Sequence, residues 1–358
     1  MKATIAVLPG DGIGPEVVAQ AVRCLELVAA RFGHQFDMPE APVGAAAMDL
    51  TGEPLPAPTL SLARSADAVL FGAIGDPRYS DPSLKIRPEQ SILGLRRELG
   101  LFANLRPAVT HPAVYHASPL KPELLEGVDI LVVRELTGGI YFGEKRRSES
   151  AASDLCTYSV AEIERVVRLA GRLASGRRGR LTSVDKANVL ETSRLWRTVV
   201  ERLLPAEFPG VAFEHMFIDA ATMHVLRRPA GFDVIVTENM FGDILTDEVA
   251  MLPGSLGLCP SASIGEGRRG LYEPIHGSAP DIAGKGIANP YGTILSAALL
   301  LRHSLGLDTE AAAVEAAVSR ALTDGVLTTD LVPAGSAPAT TLQAGDAVLD
   351  RLAWPRRR

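Results

Sequence analysis

The sequence predicts an α/β protein with mostly parallel strands, and its length and its alternating pattern both support this. The chain has 358 residues, which corresponds to about two domains at roughly 100–200 residues each. Short apolar runs recur along it, and several are followed by segments with helical spacing of apolar residues. Such alternation is typical of parallel strands joined by helices. The predicted strands lie at residues 4–8, 68–71, 129–133, 181–184 and 232–236.

The first element is a strand at residues 4–8, followed by a turn and a helix. Gly10, Gly12 and Gly14 form the turn, and Pro15 stands where the first helical residue is expected. A dinucleotide-binding fingerprint requires G-x-G-x-x-G, whose third glycine is missing here. A tight strand-to-helix turn and a phosphate cradle both remain possible for this segment.

Later segments carry equally local signals. Ser159 and Glu162 match a capping box that opens a helix to about residue 173, and residues 188–204 have one apolar helical face. Three other segments show neither a helical nor a strand-like pattern of apolar residues. We interpret residues 39–58 and 107–122 as surface connections, and residues 143–153 as a projecting arm or loop.

The composition indicates the cellular compartment of the protein and excludes some classes of binding partner. Lys and Arg number 36 against 42 Asp and Glu, so the net charge of −6 argues against a nucleic-acid binder. The longest apolar stretch, 294–301, is far shorter than the ~20 residues that span a bilayer. The cysteines are few and widely spaced: Cys24, Cys156 and Cys259. This pattern is typical of a protein in a reducing compartment, where disulfides are rare. We expect a cytoplasmic protein without a nucleic-acid or membrane partner.

Two carboxylates follow the predicted strand at 232–236. Asp243 and Asp247 are four residues apart, so both project from one face of a helix, near its expected N-terminus. A hard divalent cation, Mg²⁺ or Mn²⁺, would offset the repulsion between them. The alternative is a solvated acidic first turn, which the helix dipole favours.

Three arginines lie beside apolar runs: Arg96, Arg106 and Arg134. An arginine at a strand end can bind a carboxylate through two parallel hydrogen bonds. As a group facing a metal, they would form a site for a polycarboxylate anion. Individually, each is better explained as a surface guanidinium paired with a neighbour such as Glu98 or Glu135.

Three more features have a structural and a chemical interpretation. Lys186 ends the strand at 181–184 and is either solvated or, if desolvated, a base. Tyr141 is flanked by glycines and is either a packing aromatic or a group that a backbone approaches closely. The Gly/Pro-punctuated loop at 273–284 contains His276 and Asp281, a possible turn residue and a possible helix cap.

Six motifs in this order carry a family resemblance. The chain resembles the β-decarboxylating dehydrogenases of the isocitrate/isopropylmalate type, from its first strand to about residue 350. The motifs are Leu8-Pro9-Gly10-Asp11-Gly12-Ile13-Gly14-Pro15-Glu16, Asn104-Leu105-Arg106-Pro107, Val133-Arg134-Glu135, Ser183-Val184-Asp185-Lys186-Ala187-Asn188, Phe241-Gly242-Asp243-Ile244 and His276-Gly277-Ser278-Ala279-Pro280-Asp281.

The resemblance implies a fold of two α/β domains that share a large mixed sheet, distinct from a Rossmann fold. A cofactor-binding first domain comprises residues 1–101 plus 254–358, and the second domain is 102–253. The active-site cleft is expected between them. The arm at 143–153 is expected to pair with a second subunit, in a homodimer whose sites are each built by two chains.

The same resemblance implies roles for individual residues. Arg96, Arg106 and Arg134 would bind the carboxylates of a malate. Asp243 and Asp247 would hold Mg²⁺ or Mn²⁺ together with Asp219 of the partner subunit. Lys186 of the partner subunit would remove the hydroxyl proton, through water, and Tyr141 would protonate the resulting enol.

The implied oxidant is NAD. Asp281 bonds the ribose hydroxyls in this family, and its carboxylate would repel the 2′-phosphate of NADP. The residues implied to bind the cofactor are Ile13, Glu89, Gly257, His276, Gly277, Ser278, Ala279, Asp281, Ile282 and Asn289.

The segment before Arg96 bears on the substrate. Isocitrate enzymes carry a Ser and an Asn there, whereas Ile92 and Leu93 are apolar and suit an isopropyl group. The implied reaction converts 3-isopropylmalate to 4-methyl-2-oxopentanoate and CO₂, in leucine biosynthesis. D-malate, tartrate and other 3-alkylmalates remain alternatives, because one methylene changes discrimination by only roughly 1–3 kcal/mol. A non-catalytic homologue is the alternative from another class.

Overall fold

A computed structural model describes residues 1–81 and 83–353 of the chain. Its strands are β1 (Lys2–Gly10), β2 (Gln35–Asp37), β3 (Ala68–Ala73), β4 (Leu101–Val109), β5 (Asp129–Glu135), β6 (Lys145–Arg147), β7 (Ala152–Asp154), β8 (Arg180–Asp185), β9 (Ala212–Phe217), β10 (Val234–Thr237), β11 (Pro260–Gly265) and β12 (Gly270–Pro274). Its α-helices are α1 (Gly14–Phe32), α2 (Ala45–Thr51), α3 (Ala57–Ser65), α4 (Gln90–Glu98), α5 (Pro122–Leu125), α6 (Val160–Ser175), α7 (Glu191–Glu207), α8 (Ile218–Arg227), α9 (Asn239–Val249), α10 (Tyr291–His303), α11 (Asp308–Thr323) and α12 (Thr341–Ala353).

The chain divides into two compact units. Unit 1 comprises the described residues of Met1–Leu101, His111–Ser118 and Pro253–Arg358, and unit 2 comprises Phe102–Thr110 and Pro119–Leu252.

One segment differs from the expected second domain, 102–253. The structure places His111–Ser118 in unit 1 because its histidines bond to that unit. His111 Nε2 lies 3.2 Å from Ser319 Oγ, and His116 Nε2 lies 2.8 Å from the carbonyl oxygen of Leu331.

Unit 1 contains a mixed sheet with strand order β2-β1-β3-β12-β11. β1 is parallel to β2 and β3, and β12 is parallel to β3 but antiparallel to β11. Ile5 and Leu8 on β1 are fully buried and pair with Ala68 and Phe71 on β3. Burial on both faces explains why these two strands are continuous apolar runs. The strands predicted at 4–8 and 68–71 are confirmed.

The strands of unit 2 follow the order β4-β5-β10-β8-β9. β4 is antiparallel to β5, and the other neighbours are parallel. The carboxyl ends of β5, β10 and β8 therefore meet at one edge, the usual location of an α/β binding site. Arg134, Asn239 and Lys186 lie at or just after these strand ends. The strands predicted at 129–133 and 181–184 are confirmed, and the one predicted at 232–236 begins at Val234.

Two predicted helices appear in unit 2. The capping box that begins α6 is present: the Glu162 N–H donates to Ser159 Oγ at 3.3 Å, and the Ser159 N–H donates to Glu162 Oε2 at 2.7 Å. The helix predicted at 188–204 begins three residues later, at Glu191. The N–H groups of Val189 and Leu190 instead close a turn on the carbonyl oxygen of Lys186, each at 2.9 Å.

The interpretation of 39–58 as a connection is wrong in part, because α2 lies within it. Asp11 is the reason: its carboxylate accepts hydrogen bonds from the N–H groups of Ala45 (3.0 Å) and Ala46 (2.9 Å) and so caps that helix from another segment. The segment 107–122 likewise begins inside β4.

The segment 143–153 is mainly a hairpin, in which β6 pairs antiparallel with β7 and both strands are exposed. Within residues 1–81 and 83–353, no helix has the length and apolar character needed to cross a membrane.

Candidate functional site

The unit 2 site is built around α9. Glu238 caps this helix by accepting a hydrogen bond from the Phe241 N–H at 2.8 Å. Asp243 and Asp247 follow with one helical turn between them, as the spacing predicts. The expected position near the N-terminus is wrong for Asp247, the ninth of the eleven helical residues. The helix begins at Asn239, so Asp243, its fifth residue, also lies beyond the first turn. The helix dipole acts within that turn, and the alternative of a solvated acidic first turn is therefore wrong for both carboxylates.

Arg134, near the end of β5, is buried against α9 with 7% of its side chain exposed. Its Nη1 donates to Asp243, while its Nε and Nη2 both donate to Asn239 Oδ1, at 3.1 and 2.8 Å. Gly242 allows this approach, because a Cβ there would lie 2.6 Å from Arg134 Cγ.

Tyr141 reaches the same carboxylate. Its hydroxyl donates to Asp243 Oδ2 at 2.9 Å, and its ring centroid lies 5.9 Å from the guanidinium carbon of Arg134. Burial, followed by the bond to Asp243, raises the pKa of Tyr141 above its ordinary value. The phenol therefore keeps its proton at neutral pH and can act as an acid.

Arg106 extends the site along β4. Its Nε donates to Asn104 Oδ1 at 2.9 Å, and its Nη1 donates to Thr246 Oγ1 at 2.9 Å and Asp247 Oδ1 at 3.2 Å. Asp247 remains 76% exposed in its side chain, so oxygen lone pairs stay open to a ligand.

Lys186 and Asp219 form a separate pair in unit 2. Lys186 Nζ donates to Asp219 Oδ1 at 2.7 Å, and this hydrogen bond lowers the pKa of Asp219. Among the described residues of one chain, no three His, Cys, Asp or Glu side chains form a group that could hold a metal ion. Asp219 therefore does not join Asp243 and Asp247 within the same chain.

Helix α4 of unit 1 carries or adjoins the remaining substrate residues. Ile92, Leu93 and Arg96 follow Glu89 at intervals of three, four and seven, so all four share one helical side. Arg96 Nη2 donates to Glu273 Oε1 at 2.9 Å. Ile92 packs partly against the unit 1 core, while Leu93 is half-exposed.

The first turn of unit 1 meets the 276–284 loop. The Ile13 N–H donates to the carbonyl oxygen of Ser278 at 2.8 Å, and Gly12 is needed because a Cβ would lie 2.0 Å from that oxygen. Ile13 is buried in a small apolar cluster that Ala279 and Ile282 cover. The structure thus brings together four of the residues predicted to bind the cofactor.

His276 has a ring nitrogen whose hydrogen-bonding capacity is unused among the described residues. Its Nε2 is buried and has no hydrogen-bond partner among the described residues, while its Nδ1 lies 2.9 Å from the Gly277 carbonyl oxygen. Burial lowers the pKa of His276, so the ring is neutral at pH 7. Asp281 is exposed on the same loop.

Gly257 and Asn289 form a second contact in unit 1. A Cβ at Gly257 would lie 2.6 Å from Asn289 Cβ, and Asn289 Nδ2 donates to Asp330 Oδ2 at 2.9 Å.

These groups fit the implied metal and dinucleotide. The carboxylates on α9 are oxygen donors of the kind that Mg²⁺ and Mn²⁺ prefer. The unpartnered Nε2 of His276 and the exposed Asp281 carboxylate are suited to a nucleotide that carries hydroxyl groups.

The side chains that hold the arginines were not predicted from the sequence: Asn104, Asn239, Thr246 and Glu273. The contact of Asn104 with Arg106 could have been predicted, because residues two apart on a strand share a face. Glu273 is 177 residues from Arg96, and no local pattern connects them.

The chain is similar to known proteins over almost its whole length. A family profile described as "Isocitrate/isopropylmalate dehydrogenase" matches residues 4–348. The chain is 56% identical to the 3-isopropylmalate dehydrogenase of Rhodopirellula baltica, over 99% of this chain and 100% of the relative. It is also 56% identical to that of Anaeromyxobacter dehalogenans, with the same coverage.

Solved structures are similar over almost the whole chain. An isocitrate dehydrogenase from Methylococcus capsulatus has a TM-score of 0.86 at 34% identity, covering 98% of this chain and 100% of its own. A beta-decarboxylating dehydrogenase from Thermococcus kodakarensis has a TM-score of 0.80 at 39% identity, covering 98% and 96%. The expected fold class is confirmed.

Proposed function

This chain belongs to the isocitrate/isopropylmalate dehydrogenase family, and from this we propose that it oxidatively decarboxylates 3-isopropylmalate. The products are 4-methyl-2-oxopentanoate and CO₂, in a step of leucine biosynthesis. The observation that carries the proposal is the convergence of Arg134 and Tyr141 on Asp243, with Arg106 on Asp247 one helical turn away. This arrangement places carboxylate-binding groups, a proton donor and oxygen ligands on one helix side.

We assign the cofactors as NAD and Mg²⁺ or Mn²⁺. Asp243 and Asp247 would hold the cation with Asp219 of the partner subunit, and Asp281 would favour NAD over NADP by charge repulsion. When bound, the cation supplies Lewis-acid polarisation of the C2 oxygen and NAD supplies the hydride acceptor.

The protein's own side chains perform the remaining work. Arg106 and Arg134, with Arg96, bind and orient the two carboxylates of the malate. Lys186 of the partner subunit accepts the proton of the C2 hydroxyl through water. Tyr141 donates its phenolic proton to carbon C3 of the enol that remains once CO₂ has left.

Ile92 and Leu93 are proposed to accept the isopropyl group. They stand one turn from Arg96 on α4, so an apolar surface adjoins a carboxylate-binding group. An apolar surface leaves the third carboxylate of isocitrate unpaired, which disfavours that substrate. D-malate, tartrate and other 3-alkylmalates stay as competing substrates. A non-catalytic homologue is disfavoured, because Lys186, Tyr141 and the other reacting groups are all present.

A homodimer is proposed as the active form, in the cytoplasm. Helix α8 packs against α9, and the pair leaves Met223, Leu226 and Ile244 exposed. Exposed apolar side chains grouped in this way mark interaction surfaces. The β6–β7 hairpin is the proposed arm to the second subunit.

The test is reduction of NAD or NADP with 3-isopropylmalate, isocitrate, D-malate and tartrate in parallel, with and without EDTA. We expect EDTA-sensitive turnover that is fastest with NAD and 3-isopropylmalate, and weaker NAD use by Asp281→Lys. Preference for D-malate or tartrate would overturn the roles of Ile92 and Leu93. Unchanged NAD affinity in Asp281→Lys would overturn its ribose contact, and no turnover with any substrate would favour a non-catalytic homologue.

A further inference from the structure

Asn239 uses its backbone N–H and both polar atoms of its side-chain amide at the junction of three segments. It is 1% exposed, and its Oδ1 accepts from both Nε and Nη2 of Arg134. Its Nδ2 donates to the carbonyl oxygen of Gly138 at 3.2 Å, and its N–H donates to Tyr158 Oη at 3.0 Å. As the first residue of α9, Asn239 thus connects this helix to β5 and to the segment that leads to Tyr141.

The choice of an amide matters for the charge of the guanidinium. Arg96 is held by a carboxylate, Glu273, which offsets its positive charge. Asn239 fixes two guanidinium nitrogens of Arg134 with a neutral oxygen, so it adds no second negative charge to the Asp243 carboxylate that already pairs with Nη1. A planar guanidinium held at one edge has a defined orientation.

We propose that Asn239 is a positioning residue: it orients Arg134 toward the substrate carboxylate and fixes Gly138, three residues before Tyr141. This rests on the proposed function only in taking a malate-type dianion as the ligand of Arg134.

A second hydrogen-bonded layer holds Asn239 itself. Tyr158 Oη accepts from the Asn239 N–H and donates to Glu238 Oε2 at 3.1 Å. The Tyr158 ring packs edge-on against Trp196, with centroids 5.9 Å apart. The start of α9 is therefore anchored to the buried interior of unit 2, which is what a residue that orients another side chain requires.

A double-mutant cycle tests the proposal. Asn239→Ala is measured in the parent enzyme, in Arg134→Lys and in Arg106→Lys, each with kcat, KM and unfolding midpoint. Lysine lacks the guanidinium edge that Asn239 binds, whereas Arg106 is held by Asn104 and serves as the matched control. The substrate is whichever malate the parent oxidises fastest, so the cycle does not depend on 3-isopropylmalate.

We expect Asn239→Ala to lower kcat/KM by about 100-fold in the parent and in Arg106→Lys, the size of effect that loss of orientation produces. In Arg134→Lys the same change should cost about twofold or less. Equal losses in all three backgrounds would overturn the proposal, as would a loss explained by a lower folded fraction alone.

Asn239→Asp provides a second variant if the alanine protein does not fold. It keeps an oxygen for Arg134 but adds a negative charge, so KM for the malate should rise at least tenfold. An unchanged KM would overturn the proposal.

If the parent oxidises none of the four substrates, the proposed function fails. The positioning role is then tested by the unfolding free energies of Asn239→Ala, Arg134→Lys and the double variant. Additive changes in these free energies would overturn it.

Discussion

At the scale of single residues, Asp243 connects the basic and the acidic groups of unit 2. It accepts from Arg134 and Tyr141 through different oxygens, and Arg134 is in turn held by Asn239. The arrangement is partly buried, and removing one partner takes a hydrogen bond from another, so its members should not behave independently.

Tyr141→Phe removes the hydroxyl but keeps the ring beside Arg134. We expect turnover to fall by about 10²–10⁴-fold, because the enol loses its proton donor while binding groups stay in place. Steady-state kinetics and circular dichroism check this. Turnover within a few-fold of the parent would show that another group supplies the proton.

Gly242→Ala should be strongly disruptive. The added Cβ would lie 2.6 Å from Arg134 Cγ, so Arg134 or α9 must shift, at a cost of about 1–3 kcal/mol in stability together with a loss of activity. Gly210→Ala is the matched control, since a Cβ there meets nothing within 4 Å and φ is not positive. Denaturant unfolding measures both variants, and equal stability of the two would contradict the packing argument.

At the scale of elements, prediction from sequence succeeded where a local pattern carries the structure. Apolar runs in the sequence predict the buried strands that end near Arg134 and just before Lys186. The spacing of Ser159 and Glu162 predicts the capping box that begins α6. Helix α2 was missed because its cap, Asp11, lies 34 residues away. The partner of Arg96 was missed for the same reason, because Glu273 comes from a distant strand. Local sequence does not encode contacts of this range.

Helix α10 should contribute to acid sensitivity through its last residue, His303. Burial, followed by the charge of Arg302, lowers the pKa of His303 to about 4. A histidine whose pKa is lower when folded binds more protons when unfolded, so its contribution to stability is complete above pH 6.5 and declines toward pH 4. At pH 5 the loss should be on the order of 2 kcal/mol.

His303→Gln should remove that part of the pH dependence. Urea unfolding of both proteins at pH 7.5 and pH 5.0 measures it. We expect the parent to lose more stability than the variant between the two values. Parallel losses would show that His303 is not the titrating group.

At the scale of the whole molecule, the proposed roles divide into two groups of residues. Lys186 and Asp219, both proposed to serve the partner's site, bind each other directly. Tyr141, Asp243 and the arginines of unit 2 form the other group. Among residues 1–81 and 83–353 no three His, Cys, Asp or Glu side chains form a metal group, and the third carboxylate of the proposed site is Asp219 of the partner subunit.

Mixing two inactive variants tests this division. In a hybrid of Lys186→Ala and Tyr141→Phe, one site carries both defects and the other carries neither, if Lys186 serves the partner's site. Random assortment makes half of the dimers hybrids, so mixing after dissociation should restore about a quarter of the parent activity. Each variant refolded alone is the control. Failure to restore activity, in samples where tagged chains prove that hybrids formed, would place Lys186 in the site of its own chain.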